Sequence, residues 1–265
     1  MSRYVYTKED DMLAKERQNK IVEMVNRDGS ILVKELSELF DVTEDSIRKD
    51  LSLLEKKGLL KKTYGGAVKN RVNTHELYVS QRKGKNVGEK QSVAKHAFDL
   101  IEEGDVLFLD ISTSNIELIK LIVEANLKVT VVTNMIDIML SFTAPLDTNL
   151  IFIGGKLNRG RDGFIGSYTN KQMEEFNFDK AFMGVVGIEL EKNRVYTYAT
   201  EDALTKRAIM NASDVSYMML EKRKFSRKGN YRYADIDDFA GIVLDGEPEE
   251  EIFDKLKEYN VELYF

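Results

Sequence analysis

The 265-residue chain contains no cysteine. That excludes a disulfide, a thiolate zinc site and a cysteine nucleophile, and makes a reducing cytoplasm its simplest home. Its two histidines, His75 and His96, stand 21 residues apart, with no second ligand at metal-binding spacing. His75 reads as a linker residue and His96 as an exposed helix residue, so no metal site is expected. No apolar run approaches the ~18 residues of a membrane helix. The opening stretch "MSRYVYTKEDDMLAKER" lacks the apolar core of a signal peptide. There is no G-x-G-x-x-G and no P-loop, so no dinucleotide or nucleoside triphosphate site is expected and no cofactor is implied.

What is present is the composition of a globular protein, 43% hydrophobic and 32% charged, long enough for about two domains. The net charge of −6 hides an asymmetry. Residues 1–95 carry 20 Lys and Arg against 15 Asp and Glu, while the remainder carries 19 against 30. A basic front on an acidic body suits a front that meets a polyanion. The bland alternative is a solvated, lysine-rich linker.

Three helices are legible in the front. The first is predicted from about Ala14 to Arg27, with Ile21, Met24 and Val25 on one side and a stop near Gly29. After the apolar stretch Ile31 to Val33, a second helix carries Val33, Leu36 and Phe40. A tight break at Asp41–Val42 leads into "TEDSIRKDLSLLEKKG". Thr43 suits the N-cap, Glu44 and Asp45 the first turn and Gly58 the C′ position. Ile47, Leu51 and Leu54 fall within about 60° on a helical wheel, so that face is buried. Asp45, Lys49, Ser52 and Lys56 lie opposite, flanked by Ser46 and Arg48. The two cations stand near the positive end of the helix dipole, an unfavourable place unless something anionic meets them. Helix, short turn, helix is the arrangement that lays a second helix in the major groove of DNA. "LLKKTYGGAVKN" then reads as a hairpin turning at Tyr64–Gly65–Gly66, with Lys61 and Lys62 in reach of phosphates. The whole is a winged helix with Thr43, Ser46, Arg48, Lys49, Ser52, Lys61 and Lys62 as candidate DNA contacts. No RRM, KH or amphipathic basic helix signature is present, so duplex DNA is preferred over RNA or a membrane.

The stretch "LVKELSELFDVTEDSIRKDLSLLEKKGLLKKTYGGAV" resembles the signature of the DeoR family of bacterial transcriptional regulators. The family's "T-I-R-R-D-L" falls on Ser46, Ile47, Arg48, Lys49, Asp50 and Leu51. Lys49 is a departure that serves a phosphate but lacks the bidentate fork of arginine. Tyr64 stands where histidine is common.

Residues 71–89 are polar and basic and read as a linker after an extension over 1–14 and a winged helix over 15–70. From Lys90 to the end the pattern is α/β: "KQSVAKHAFDLI" is an amphipathic helix, and the apolar runs "VLFLD", "VTVVT", "LIFIGG", "AFMGVVGI", "VSYMMLE" and "AGIVL" alternate with helical stretches. Such runs predict a largely parallel sheet covered on both faces, with ligands at the carboxyl ends of the strands. Those ends carry Asp110, Ser112, Thr113, Ser114 and Asn115, then Asn134, then Gly154, Gly155 and Lys156, then Lys222, Arg223 and Lys224. Hydroxyls and amides at a helix start suit an anion. Singly, each is more often a cap, a turn or a solvated loop; their succession at strand ends points to a phosphorylated small molecule.

The resemblance continues here and covers the chain from about Lys15. It implies an effector domain similar to ribose-5-phosphate isomerase that senses phosphorylated sugars. The family's "D-x-G-T-T" resembles Asp110 to Ser114, its "T-N" Thr133–Asn134, and its "G-G" Gly154–Gly155. Its "D-K-A-F-x-G" matches Asp179 to Phe182 and Gly184. Its "E…K" helix resembles Glu201 and Lys206, and its "D-x-S-K-F" Glu221, Arg223, Lys224 and Phe225. Three departures stand out: Ser112 replaces a glycine, and Glu221 and Arg223 replace aspartate and serine. The implied function is a repressor of sugar-metabolism genes acting on double-stranded operator DNA as a homo-oligomer, a dimer or tetramer, and relieved by a sugar phosphate. The rival reading is a sugar-phosphate isomerase using Asp110, Asp179, Glu201 and Lys224, for which a fused winged helix is superfluous; no catalytic role is expected.

Overall fold

The computed structural model describes residues 8–56, 59–69, 82–143, 145–160 and 162–265. Gly58, His75 and the linker up to residue 81 lie outside the described residues. The chain divides into two compact units, Met1–Val72 and Asn73–Phe265.

The first unit is built as the periodicity predicts. Helix α1 spans Lys8–Asp28, so it begins about six residues before the Ala14 start expected from its apolar positions. Strand β1 (Ser30–Leu32) leads into α2 (Val33–Phe40), which ends on Asp41 in a left-handed conformation with φ of 50°. Helix α3 (Glu44–Lys56) follows, then β2 (Leu60–Thr63) and β3 (Gly66–Lys69). The hairpin is confirmed, and it gains a third strand that was not foreseen, because β1 pairs antiparallel with β3, Ile31 facing Ala67. Gly66 makes this pairing possible: a Cβ there would lie 1.9 Å from the Ile31 carbonyl oxygen. One cluster of Ile21, Val25, Ile31, Val33, Leu36, Ile47, Leu51, Leu54, Leu60 and Ala67 closes the core. A buried charge orients α3 within it. Asp50 accepts from Arg17 Nε at 2.6 Å and Gln18 Nε2 at 2.8 Å, tying α3 to α1.

The second unit opens with α4 (Val87–Phe98) and has a seven-stranded sheet. Its strands are β4 (Val106–Leu109), β5 (Thr130–Thr133), β6 (Asn149–Phe152), β9 (Phe178–Gly184), β12 (Ser213–Leu220), β14 (Gly241–Leu244) and β15 (Glu262–Tyr264). The order is β15-β14-β12-β9-β4-β5-β6 and every pairing is parallel. Side chains alternate faces as strand geometry requires. Leu107 and Leu109 pack with Val93, Ala97, Ile119 and Ile122 of α4 and α5 (Thr113–Glu124). Phe108, Met218 and Leu220 pack on the other side with Ile209 and Leu256, from α8 (Thr200–Asn211) and α9 (Glu250–Leu256). The run "AFMGVVGI" is not one strand: it breaks after Gly184, and Gly187–Glu189 (β10) joins β11 (Arg194–Thr197) and β13 (Tyr231–Ala234) in a small antiparallel sheet. Between β5 and β6 the chain makes a single helical turn, α6 (Ile136–Met139). A two-stranded ribbon, β7 (Lys156–Leu157) with β8 (Phe164–Ile165), precedes α7 (Ser167–Met173).

In this sheet the chain grows from β4 toward β6 on one side and from β9 toward β15 on the other. The order therefore reverses between β4 and β9. A crevice at the carboxyl ends of two such strands is where open α/β sheets bind ligands.

Candidate DNA-binding face and effector site

At the N-terminus of α3 the capping is as predicted. The Thr43 carbonyl accepts from Ile47 N at 3.2 Å, and its hydroxyl accepts from Ser46 N at 3.3 Å. Ile47, Leu51 and Leu54 are buried, leaving Asp45, Arg48 and Lys49 exposed. Arg48 is not waiting for a partner, however. Its guanidinium donates to Glu44 at 2.6 Å and to Asp45 at 3.1 Å. The cost of a cation at this end of the dipole is thus relieved within the free helix by the first-turn acids. Ser52 Oγ donates to the Arg48 carbonyl at 2.7 Å and accepts from Lys62 Nζ at 2.7 Å, while Lys62 N donates to Glu55 at 2.8 Å. Ser52 and Lys62 therefore stitch the wing to α3. Lys49 and Lys61 are exposed, and among the described residues neither has an ion pair. The structure brings Thr43, Ser46, Arg48, Lys49, Ser52 and Lys62 together on one face, with Lys61 on the adjoining strand.

In the second unit a buried charge network joins the carboxyl ends of β4 and β9. Asp110, directly after β4, is 1% exposed. It accepts from Gly184 N at 2.7 Å and from the Lys206 ammonium on α8. Burial pushes the Asp110 carboxyl upward against the pull of Lys206. For Lys206, burial works against the charge, but Asp110 and Asp202 outweigh it and hold the ammonium protonated. Gly184 permits the approach: a Cβ there would come within 2.8 Å of the Ser112 Cβ. Ser112 caps α5, accepting from Ser114 N at 3.2 Å. Asn115 donates to the carbonyls of Asp110 and Phe182, both at 2.8 Å, and so bridges the two strand ends. Among the described residues, Ser114 Oγ, Asn115 Oδ1 and Asn134 Oδ1 are buried without a hydrogen-bond partner. Unsatisfied buried polar atoms are costly; the two carboxamide oxygens can accept from a donor such as a hydroxyl, and the Ser114 hydroxyl can donate to an anion or accept.

Other predicted residues fare differently. Lys156 pairs with Glu201 at 2.9 Å, both largely exposed, so the two come together at the rim. Gly154 and Gly155 pack on α7: Thr169 donates to the Gly154 carbonyl, and a Cβ on Gly155 would lie 1.9 Å from Thr169 Oγ1. Lys224 pairs with Glu221 at 3.1 Å at the end of β12. Asp179 is not at the crevice. It stands at the amino end of β9, where it accepts from Val106 N at 2.7 Å, a structural role on the opposite edge of the sheet. His96 is half-buried rather than exposed, its Nδ1 3.0 Å from the Leu244 carbonyl.

Sequence reasoning passed over three residues. Arg82, read as linker, forms an ion pair with the buried Asp162, and Asp162 lies within the field of Lys206. Lys90 is 2% exposed and donates to the carbonyls of Arg82 and Lys85, both at 2.6 Å. Among the described residues no cluster of His, Cys, Asp or Glu is placed to hold a metal, and no helix is long and apolar enough to cross a membrane.

Residues 17–72 match the DeoR-like helix-turn-helix domain and residues 85–246 match the DeoR C terminal sensor domain. The HTH-type transcriptional regulator YulB of Bacillus subtilis is 32% identical over 88% of this chain and 90% of its own. The lactose phosphotransferase system repressor of Staphylococcus aureus is 28% identical over 89% of this chain and 94% of its own. Ribose 5-phosphate isomerase A of Methanocaldococcus jannaschii matches 49% of this chain and 50% of its own at 17% identity and a TM-score of 0.35, a likeness too slight to add to the fold described above. With both domain matches in chain order over the winged helix and the parallel-sheet unit, the chain belongs to the DeoR family of helix-turn-helix transcriptional regulators.

Proposed function

We propose that this protein is a repressor of sugar-metabolism genes, released from operator DNA by a phosphorylated sugar. What supports the reading is one combination within the chain. A winged helix with an exposed basic face is joined to a strand-end crevice holding Asp110, Lys206, the start of α5 and three unpartnered buried polar atoms. A sugar's hydroxyls suit Asp110 and Lys206; a phosphate suits the amides and hydroxyls of Ser112 to Ser114 at a helix N-terminus. Two relatives are named as repressors, the lactose phosphotransferase system repressor of Staphylococcus aureus and the putative aga operon transcriptional repressor of Escherichia coli, and these names support the direction of control. The division of labour is DNA binding by residues 15–70 and sensing by 90–265, in the cytoplasm, without catalysis.

One winged helix makes few contacts, so the active form is a homo-oligomer, dimer or tetramer, that pairs heads on half-sites. The effector shifts an equilibrium between arrangements of those heads, and moving it from 1:99 to 99:1 takes about 5.5 kcal/mol of differential affinity. The segment nearest the head in sequence supports a route for this. Arg82 and Lys83 are paired to Asp162 and Asp137, and Lys90 holds the Arg82 and Lys85 carbonyls.

The test is binding of the full chain to DNA upstream of its own gene, by fluorescence anisotropy at fixed salt, titrated with sugar phosphates. Release by one of them is expected. DNA binding that no sugar phosphate alters overturns the effector reading; no DNA binding overturns the whole.

A further inference from the structure

The carboxyl end of β12 carries more positive charge than the crevice at β4 requires. Glu221, 1% exposed, holds both Arg223, through Nε at 2.8 Å, and Lys224 at 3.1 Å. Burial works against its carboxylate, yet Lys224 and Arg223 hold it down at about 2. One carboxylate thus serves two cations. Two more stand in the same field. Lys90 is buried with no ion-pair partner among the described residues; two of its three ammonium protons go to carbonyls and the third has no described acceptor. Arg227 is half-buried, its amide donates to the Lys224 carbonyl at 3.0 Å, and among the described residues it has no ion pair. Burial and like-charge crowding depress the protonated forms of Lys90, Lys224 and Arg227 together. Among the described ion pairs, Glu221 is the one carboxylate that meets these four partly or wholly buried cations, an unbalanced arrangement. An anion restores the balance, with charge-assisted hydrogen bonds to guanidinium groups.

We propose that Lys90, Arg223, Lys224 and Arg227 form a second anion subsite, and that the effector carries two anionic groups, one held here and one at the start of α5. This rests on the sugar-phosphate reading above and narrows it to bisphosphorylated sugars or phosphorylated sugar acids. The spacing fits. The end of β12 is separated from that of β4 by β9 alone, about 10 Å at two inter-strand spacings, comparable with the separation of anionic groups at the two ends of a five- or six-carbon sugar. Asp110 and Lys206 lie between, where the hydroxyls would be.

The experiment is isothermal titration of the full chain with matched probes: glucose 6-phosphate against glucose 1,6-bisphosphate and 6-phosphogluconate, and ribose 5-phosphate against ribose 1,5-bisphosphate. At least one two-anion probe is expected to bind ten-fold or more tighter than its monophosphate. Arg223→Ser and Arg227→Gln should each weaken that probe roughly ten- to hundredfold, the effect of losing a charge-assisted hydrogen bond, and Arg227→Gln should leave the monophosphate within about twofold. Arg227→Lys, which keeps the charge, should retain most of the affinity and guards against misfolding. Equal affinity for mono- and two-anion probes, or variants that weaken both alike, overturns the proposal while the sugar-phosphate reading stands. If no sugar phosphate binds, thermal stabilisation by inorganic phosphate that is lost in the Arg223→Ser/Arg227→Gln double variant keeps the anion subsite and discards the sugar. No such stabilisation discards both.

Discussion

The Asp110–Lys206 pair gives the sharpest test of how the sensor unit is held together. Lys206→Met keeps the length and apolar stem of the side chain and removes the charge. It leaves Asp110, 1% exposed, with one remaining described donor, Gly184 N. Breaking a buried pair from one side costs about 3–5 kcal/mol, because the other charge stays buried and uncompensated. Burial already pushes Asp110 upward, and Lys206 is the largest opposing influence, so the variant's carboxyl titrates higher still. The native state then holds a proton that the unfolded chain releases at its ordinary, lower pKa. Native-state proton excess means stability falls as pH rises. The loss is therefore expected to be larger at pH 7.5 than at pH 5.5. The double variant Asp110→Asn/Lys206→Met removes the stranded charge and should recover much of the stability. Urea denaturation followed by circular dichroism at the two pH values measures all three proteins. A loss under about 1 kcal/mol for the single variant, or a double variant no better than the single, refutes the claim that this pair is a compensated buried charge.

Arg48→Ala should lower operator affinity about five- to 150-fold, the worth of one good base or phosphate contact, with an unchanged circular dichroism spectrum. Unchanged affinity refutes its role. Glu44→Gln with Asp45→Asn frees Arg48, so binding to random-sequence DNA should tighten and the salt dependence should steepen; identical salt slopes refute the internal neutralisation. Gly66→Ala should melt the head, because its Cβ would meet the Ile31 carbonyl at 1.9 Å; a stable, DNA-binding variant refutes the need for glycine there. The Glu221 carboxyl, down at about 2, stabilises the fold fully above its unfolded value near 4.5 and loses that contribution as pH falls toward about 2. Glu221→Gln should therefore flatten acid denaturation in that window, and an unchanged acid profile refutes the assignment.

The winged helix was legible because its signals are local. Capping at Thr43, the apolar stripe of α3 and the turn at Tyr64–Gly65 depend on neighbours within a few positions, and each is where periodicity and turn chemistry put it. The third strand, β1, was not legible, since three residues beside a helix carry no period; it exists because β3 has an open edge and Gly66 admits it. The cations on α3 show a signal present and unread. Glu44 and Asp45 stand four and three residues before Arg48, the spacings at which helical side chains meet, and they neutralise it before any DNA arrives. DNA therefore competes for Arg48 with two carboxylates, so a phosphate alone gains less from it than a site that also tolerates those acids.

In the sensor unit the alternation of strands and helices fixed the architecture, and Asp110, Ser112, Ser114 and Lys224 stand beyond strand carboxyl ends as that rule expects. Asp179 went astray because a motif gives order along the chain, not the end of a strand. It stands five residues before Gly184 in β9, about 17 Å away at strand rise, enough to cross the sheet from one edge to the other. Lys206 was placed by resemblance; its burial against Asp110, 96 positions away, has no local signature. Lys90 did have one. Val93, Ala94 and Ala97 follow it at three, four and seven residues, so it shares the apolar face of α4 and is buried with them. A lysine on the buried stripe of a helix is either paired or held for something. No carboxylate pairs with it among the described residues, and it lies in the field of Glu221, Lys224 and Arg223. The same apolar spacing that predicts the helix thus marks the buried lysine that ties α4 to the segment beginning at Arg82, whose carbonyl accepts from it at 2.6 Å.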